Sequence, residues 1–239
     1  MINTLARIDY LASTGGTNWH RASALTKLVL AGAMVALAVF AHSLALLAVL
    51  QAVALTLALT SRLPGRLVLA AGGYPLVVVG LFVVATWDGS WEAAARLLLR
   101  PLTASFTAVW LVGTTPYPDL FAPLSRLLPR SAGDGLFLTY RALFELIGRA
   151  ERLWRALRIR AGTGISARRR LTIAGEGLGT LVLHGFERSQ RLYGTLHLRG
   201  QSGRICGCRH YAELTRADFG VAAVAVAVAV AAVMLWRTS

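Results

Sequence analysis

Two arginines near the ends of long helical patterns are the side chains whose spacing points most directly to chemistry. The first stands in Ile159-Arg160-Ala161, and the second stands in Leu198-Arg199-Gly200. An arginine presents a planar, permanently charged fork of donors that fits a carboxylate of another protein. Helix capping is the alternative, because a cation also complements the free carbonyls at a helix C-terminus. The duplication of the pattern favours protein binding over capping.

A short string of soft ligands, Cys206, Cys208 and His210, is the second candidate, since it could bind cobalt, nickel or zinc. A structural or catalytic metal site usually has three or four protein ligands, and Arg209 would repel a cation beside this string. The two cysteines are also too close in sequence for a comfortable disulfide. We therefore predict reduced thiols and no metal site in this chain.

Nucleotide chemistry and catalysis are not expected of this chain. The sequence has no glycine-rich loop of the kind that cradles the phosphates of ATP. The predicted membrane spans hold almost no His, Asp or Glu, which a membrane-embedded enzyme would need in a cluster. We predict a non-catalytic protein that binds no cofactor of its own.

The composition indicates that these residues belong to a membrane protein. Of 239 residues, 56% are hydrophobic and 15% are charged, with a mean hydropathy of +0.58. Soluble domains carry about 25% charged residues. The 25 basic residues exceed the 11 acidic ones, which gives a net charge of +14. In a membrane protein such an excess faces anionic lipid or an acidic partner, an interpretation that we favour over nucleic-acid binding.

Long stretches without charge predict about five membrane-spanning helices. The first stretch, 28–60, is too long for one span, so we expect a break at His42-Ser43. Two further spans are predicted at 67–87 and 97–113, and the last at 219–236. The last span alternates valine and alanine as a strand does, but an isolated strand cannot satisfy its backbone in lipid. We therefore predict a helix there.

Most of the charge lies in one segment, 116–216, which holds 17 of the 25 basic residues and 7 of the 11 acidic ones. The positive-inside rule places this segment and the N-terminus in the cytoplasm. Five spans then leave Ser239 outside. The four parts of the chain are a lead-in, four spans, a cytoplasmic region and a last span, at 1–26, 27–115, 116–216 and 217–239.

The cytoplasmic segment contains two long helical patterns. In the first, apolar residues recur at steps of three and four; they are Leu136, Tyr140, Leu143, Ile147, Ala150, Trp154 and Leu157. Glu145 and Arg149 lie off this stripe. A second helix is predicted over 171–199, after a glycine-containing break at 161–164. The fold predicted from all of these features is an all-α polytopic membrane protein.

The order of these features resembles the T component of energy-coupling factor (ECF) transporters, in its cobalt-transport (CbiQ) form. The likeness extends over nearly the whole chain, and besides the two arginine tripeptides it rests on Ile8-Asp9, Asn18-Trp19-His20, Lys27, Thr114-Thr115-Pro116, Tyr140-Arg141, Arg188-Ser189-Gln190-Arg191-Leu192-Tyr193 and Asp218. The tripeptides of that family usually read Ala-Arg-Gly or Ala-Arg-Ser. The present chain keeps the arginines, but Ile159 and Leu198 stand where the family has the small alanine before each arginine.

The resemblance implies a coupling role for this chain. It implies that the tips at Ile159-Arg160-Ala161 and Leu198-Arg199-Gly200 each grip one of two cytoplasmic ATPase subunits, where the ATP binds. It also implies a separate membrane subunit that captures the substrate, which is cobalt ion by the closest likeness, with nickel or a vitamin as alternatives. The expected location is the bacterial cytoplasmic membrane. A conventional ABC importer permease, with one coupling loop instead of two tips, is the less favoured alternative.

Overall fold

The computed structural model describes residues 9–237, apart from positions 42, 88, 162–165 and 201–214. All regular secondary structure in these described residues is helical, which confirms the predicted all-α class. The described residues form two compact units. One comprises the residues up to Pro123 together with those from Thr215 onward, and the other comprises Leu124 to Gly200.

The first unit contains the strongly apolar helices. After a helical stretch at 9–14 and a short α1 (Asn18–Arg21), they are α2 (Ala24–Phe40), α3 (Leu44–Thr60), α4 (Gly65–Ala85), α5 (Trp91–Thr114) and, at the end of the chain, α9 (Asp218–Arg237). Helices α4, α5 and α9 are long and apolar enough to cross a membrane, and α2 and α3 are apolar helices of 17 residues each. The protein is therefore a polytopic membrane protein.

Two of the sequence predictions concern the breaks and the type of these helices. Helix α2 ends at Phe40 and α3 begins at Leu44, which confirms the predicted break between them; His42 itself lies outside the described residues. The alternating valine and alanine segment is helical in α9, as predicted. An isolated strand in lipid would have no partner for its backbone hydrogen bonds, whereas a helix satisfies them internally and alanine favours it.

Helix α5 is the centre of the first unit, because it packs against α2, α3 and α4. Trp110 of α5 is fully buried, and the indole of Trp19 meets it edge-on with the ring centroids 6.1 Å apart. Met34, Leu47 and Leu50 supply fully buried side chains from α2 and α3. The segment that precedes α2 is thus held on the apolar helices by its tryptophan.

A buried lysine joins the start of α2 to the end of α5. The ammonium of Lys27 donates to the carbonyl of Thr114 at 3.0 Å and to the carbonyl of Trp19 at 3.1 Å. Lys27 is 1% exposed. A buried polar group without a partner is costly, and the ammonium has both partners only when the segments that contain Trp19, Lys27 and Thr114 are packed in this arrangement. The hydrogen bonds therefore stabilise that arrangement.

A buried aspartate joins α9 to α2. One carboxylate oxygen of Asp218 accepts the backbone N–H of Ser23 at 2.7 Å and the hydroxyl of Thr26 at 2.8 Å. The other oxygen accepts the N–H of Thr215 at 2.6 Å. Asp218 therefore fixes both the residue that precedes α2 and the turn that precedes α9.

The remaining helices are α6 (Tyr117–Leu127), α7 (Arg130–Ala161) and α8 (Ala167–Leu198). Helices α7 and α8 have 32 residues each, a length of roughly 48 Å. The sequence analysis did not predict α6, because prolines argue against a helix there. Pro118 lies in its first turn, where a proline removes no intrahelical hydrogen bond. Helix α8 begins four residues before the predicted start at 171.

Candidate functional site

Helices α7 and α8 pack against each other as an antiparallel pair. Gly177 of α8 faces Leu153 and Leu157 of α7, whereas Gly185, farther along α8, faces Leu146. The contacting residue numbers rise on one helix as they fall on the other, so the helices run in opposite directions. A methyl group added to Gly177 would lie 3.0 Å from the Leu157 side chain, so glycine allows this close approach.

An ionic cluster lies in the same interface. Glu145 of α7 forms an ion pair with Arg188 of α8 and lies 3.7 Å from Arg149, one turn along its own helix. Arg149 in turn lies 3.4 Å from the Nδ1 atom of His184 on α8. The Glu145 and Arg188 side chains are about two-thirds buried. Opposite charges meet at only one register of the two helices, so this cluster specifies that register.

The cluster shows that the predicted apolar stripe on α7 was partly wrong. Glu145 and Arg149 were predicted to lie off the packing face, yet they lie in the helix interface. Leu143 and Trp154 were placed on that face but are exposed. The contacts with α8 recur every four residues, through Glu145, Arg149, Leu153 and Leu157. The predicted stripe alternates steps of three and four residues, a mean of 3.5, so along α7 its residues move off the face that contacts α8.

The two predicted arginines lie at the C-terminal ends of these helices. Arg160 and Ala161 are the last two residues of α7, and Ile159 before them is 79% exposed. Leu198 is the last residue of α8 and is 89% exposed, and the exposed Arg199 follows it. Each helix end therefore combines an arginine with an exposed aliphatic side chain.

The end of α8 is closed by its own backbone. The N–H of Arg199 donates to the carbonyls of Thr195 and Leu196, both at 3.2 Å, and the N–H of Gly200 donates to the carbonyl of His197 at 3.1 Å. Gly200 has a φ of +71°, the left-handed conformation that glycine adopts readily after the last turn of a helix. Among the described residues, no hydrogen bond leaves the side chain of Arg199. Capping does not occupy its guanidinium, which favours the protein-binding interpretation.

The two arginines lie at opposite ends of the antiparallel pair. Arg160 follows Glu145 by fifteen residues on α7, and Arg199 follows Arg188 by eleven residues in the opposite direction on α8. At about 1.5 Å per residue, the arginines are separated by about 40 Å along the helix axes. The sequence predicted the two helix ends. Their placement at opposite ends of the helix pair depends on tertiary contacts, which the periodicity of the sequence does not reveal.

An aromatic pair beside the end of α8 was not singled out by the sequence analysis. Tyr193 is exposed and stacks on His197, with the ring centroids 5.9 Å apart and the rings 12° from parallel. The signal was available, because residues four apart on a helix are neighbours. Exposed aromatic and aliphatic side chains at this end form an apolar surface of the kind that anchors protein interfaces.

The second candidate in the sequence was a group of metal-binding side chains. The part of the chain that the structure describes contains no group of three His, Cys, Asp or Glu residues placed to hold a metal ion. Cys206, Cys208 and His210 lie outside the described residues. That they bind no metal stays a prediction.

The fold and the site together define a polytopic membrane protein with two exposed, arginine-bearing helix ends. Residues 15–207, which include both ends, match the family model of CbiQ, described as cobalt transport protein. The chain belongs to the CbiQ family.

A curated relative supports this membership over a shorter stretch. The chain is 34% identical over 92 residues to the cobalt transport protein CbiQ of Salmonella typhimurium strain LT2. That alignment covers 36% of this chain and 41% of the relative, so the chain spans less than half the length of the protein it matches. The family match is longer and covers most of the chain.

Proposed function

We propose that this protein is the T component of an ECF-type importer, a subunit that transmits ATPase motion to a substrate-binding membrane subunit. The observation that carries the proposal is the pair of arginine-bearing helix ends at opposite extremities of one antiparallel unit. One such end would suffice for a single contact. Two ends about 40 Å apart suit two partner subunits, one for each end.

The chemistry of each end fits an acidic groove on an ATPase subunit. A guanidinium forms paired, charge-assisted hydrogen bonds with carboxylates, and it is more weakly hydrated than an ammonium. Ile159 and Leu198, exposed in this chain, would be buried beside Arg160 and Arg199 when the partner is bound. Ala161 and Gly200 end the two segments with small residues, which let the partner approach the backbone closely.

The helix pair would transmit the motion of the ATPase subunits. The Glu145–Arg188 ion pair and the close contact at Gly177 fix the two helices to each other between the ends. Closure of the ATPase subunits on ATP changes the distance between the two grooves and so moves the two ends. The helix pair tilts in response and displaces the substrate subunit. In this scheme ATP is bound and hydrolysed on the partners, and this chain has no catalytic residue.

Cobalt ion is the substrate that we propose for the assembled importer. The proposal is supported by the description of the family and by the name of the Salmonella typhimurium relative. The metal is captured by the separate membrane subunit, and the complex lies in the bacterial cytoplasmic membrane. Nickel or a vitamin importer is the alternative with the same architecture. A conventional ABC permease is disfavoured, because a single coupling loop would leave one of the two helix ends without a partner.

Purification of the tagged, full-length chain from its native membrane tests this function. We expect two ATPase subunits and one substrate-binding membrane protein to co-purify with the chain. In proteoliposomes, we expect the complex to transport radioactive cobalt when ATP is supplied on the cytoplasmic side of the membrane. Uptake of nickel with no uptake of cobalt would reassign the substrate. A chain that purifies without ATPases and supports no ATP-dependent uptake would contradict the coupling role.

A further inference from the structure

A polar cavity of about 540 Å³ lies in the first unit. One wall is the segment around α1, with Thr17, Asn18 and His20. The facing wall is the turn between α3 and α4, with Ser61 and Arg62. A cavity of this size is within the range of small-ligand sites.

The lining of this cavity suits an anion. It contains Arg62 and no aspartate or glutamate. Within the part of the chain that the structure describes, Arg62 has no ion-pair partner. The amide of Asn18 adds uncharged donors on the opposite wall. An arginine fork with neutral donors around it is the arrangement that recognises phosphate groups.

The backbone of Arg62 is in an unusual conformation. Its φ is +53°, the left-handed region, and its N–H donates to the carbonyl of Leu59 at 3.2 Å as α3 ends. Glycine or asparagine adopts this conformation at lower cost than arginine does. A residue held in a costly conformation beside a cavity is a reason to look for a function of its side chain. The turn would form more readily without an arginine, so the arginine serves something other than the turn.

The position of the cavity indicates where the anion would come from. Arg62 lies in the turn between α3 and α4; α3 holds no charged residue, and α4 holds one, Arg66 in its first turn. Helix α3 has 17 residues, a length of about 25 Å, which is somewhat shorter than the hydrocarbon core of roughly 30 Å. A short span draws its flanking turn toward the lipid phosphates. Arg62 is exposed in this turn.

We propose that this cavity binds a phosphate group, through the Arg62 guanidinium and the Asn18 amide. The group is shared by the headgroup of an anionic phospholipid and by free phosphate. The site is independent of the proposed coupling function, since none of the residues at the two helix ends lines it. An occupied site would tie the N-terminal segment to the α3–α4 turn.

Native mass spectrometry of the purified full-length protein tests the proposal. The protein is reconstituted in nanodiscs with phosphatidylglycerol or with phosphatidylcholine, and is released into detergent. We expect one phosphatidylglycerol to be retained by the native chain, and Arg62→Gly to lower the retained fraction about tenfold. Arg66→Gln removes the same charge four residues away, outside the cavity lining, and is expected to retain the lipid. Inorganic phosphate is titrated in a parallel arm.

The two sources give different outcomes. Retention of phosphatidylglycerol that millimolar phosphate does not displace identifies a lipid headgroup site. Stabilisation by phosphate alone, lost in Arg62→Gly, identifies a free-phosphate site.

Arg62→Gly is also expected to unfold at the same or a higher temperature without ligand, because glycine relaxes the left-handed turn. Arg62→Asn is a second variant with the same expectation. Equal retention by Arg62→Gly and the native chain, equal loss in Arg66→Gln, or binding of neither probe would overturn the proposal.

Discussion

Glu145 of α7 and Arg188 of α8 form an ion pair across the interface of the two longest helices. Both side chains are about two-thirds buried, and Arg149 of α7 and His184 of α8 extend the cluster by one helical turn toward Arg160. The pair lies between the two arginine-bearing ends, so it fixes where each end stands relative to the other. A slip of one turn in this pairing would move the ends by about 5 Å.

The coupling across this ion pair can be measured with a double-mutant cycle. Glu145→Gln and Arg188→Gln are each expected to destabilise the protein, and the double variant less than the sum of the two. We expect a coupling free energy of about 1 kcal/mol, since the pair is partly screened by solvent. Thermal or denaturant unfolding in detergent gives the value. The exposed Glu187–Arg191 pair on α8 is the control, with an expected coupling of about 0.3–0.5 kcal/mol. Additive effects at Glu145 and Arg188 would show that the pair does not set the register.

Charge reversal at the helix ends tests the proposed contacts with the ATPases. Arg160→Glu and Arg199→Glu should each weaken the complex by several kcal/mol, because like charges then meet in a partly desolvated contact. Arg→Ala at either position should cost less, and simple capping would predict under about 1 kcal/mol with the complex intact. Co-purification of the ATPases and ATP-dependent uptake give the result, and the double Arg→Glu variant should abolish transport.

The controls for charge reversal lie on the same helices. Arg152→Glu on α7 and Arg191→Glu on α8 change the net charge equally, and each lies eight residues before the arginine at its helix end. They should leave the complex intact. If the double variant at the ends assembles and transports normally, or if the controls are as harmful, then the arginines do not anchor the ATPases.

The exposed aliphatic residues at the ends should contribute to the same contact. Ile159→Ser and Leu198→Ser are expected to weaken ATPase binding by about tenfold or more, because burial of such a side chain contributes about 1.5–3 kcal/mol. The unfolding temperature of the isolated chain should hardly change, since both side chains are exposed there. Val182→Ser, at an exposed position in the middle of α8, is the matched control. Equal losses at all three positions would place the ATPase contact elsewhere.

The sequence was sufficient for the apolar helices and for the C-terminal ends of α7 and α8. Uncharged stretches locate the apolar helices, because lipid requires backbone groups to be satisfied within the helix. The left-handed Gly200 follows from the glycine after the last turn of α8. These features depend on local chemistry, which a single sequence contains.

The pairing of the helices could not be obtained in the same way. Glu145 and Arg188 are far apart in sequence, and each is also compatible with a solvated helix face. Burial of two charges becomes favourable only when both arrive at one place. The α6 helix was missed for a different reason, because a proline in a first turn resembles a helix-breaking proline until the helix start is known.

Asp218 should be important for the stability of the first unit. Asp218→Ala leaves the backbone N–H groups of Ser23 and Thr215 without this acceptor, and the loss at the buried Ser23 group alone costs about 1–3 kcal/mol. Asp218→Asn keeps one carbonyl oxygen and should be milder. Thermal unfolding in detergent gives the order, with Glu92→Ala, at an exposed helical ion pair, as a control that should be nearly neutral. A neutral Asp218→Ala variant would show that the contacts with Ser23, Thr26 and Thr215 contribute no stability.

His20 should make the stability of the first unit depend on pH. Burial lowers the pKa of His20 from its ordinary value of 6.5, and the positive charge of Lys27 lowers it further. Its Nδ1 atom lies 2.5 Å from the Thr17 hydroxyl, and Gly15 packs against its ring. Between the lowered pKa and 6.5 the unfolded chain binds more protons than the folded chain, so the free energy of unfolding falls as the pH falls. The contribution is complete above pH 6.5 and is lost through that window.

Replacement of the imidazole isolates this contribution from that of the carboxylates. His20→Asn retains an acceptor for Thr17 but does not titrate, so its unfolding temperature should fall less than that of the native chain between about pH 7.5 and pH 5.5. Thr17→Val tests the local hydrogen bond and should lower stability at both pH values without removing the difference between them. Parallel pH profiles for the native chain and His20→Asn would mean that the folded protein accepts a proton at His20 as readily as the unfolded chain does. A steeper profile in His20→Asn would mean that the folded state favours the charged ring, which is the opposite of what burial beside Lys27 predicts.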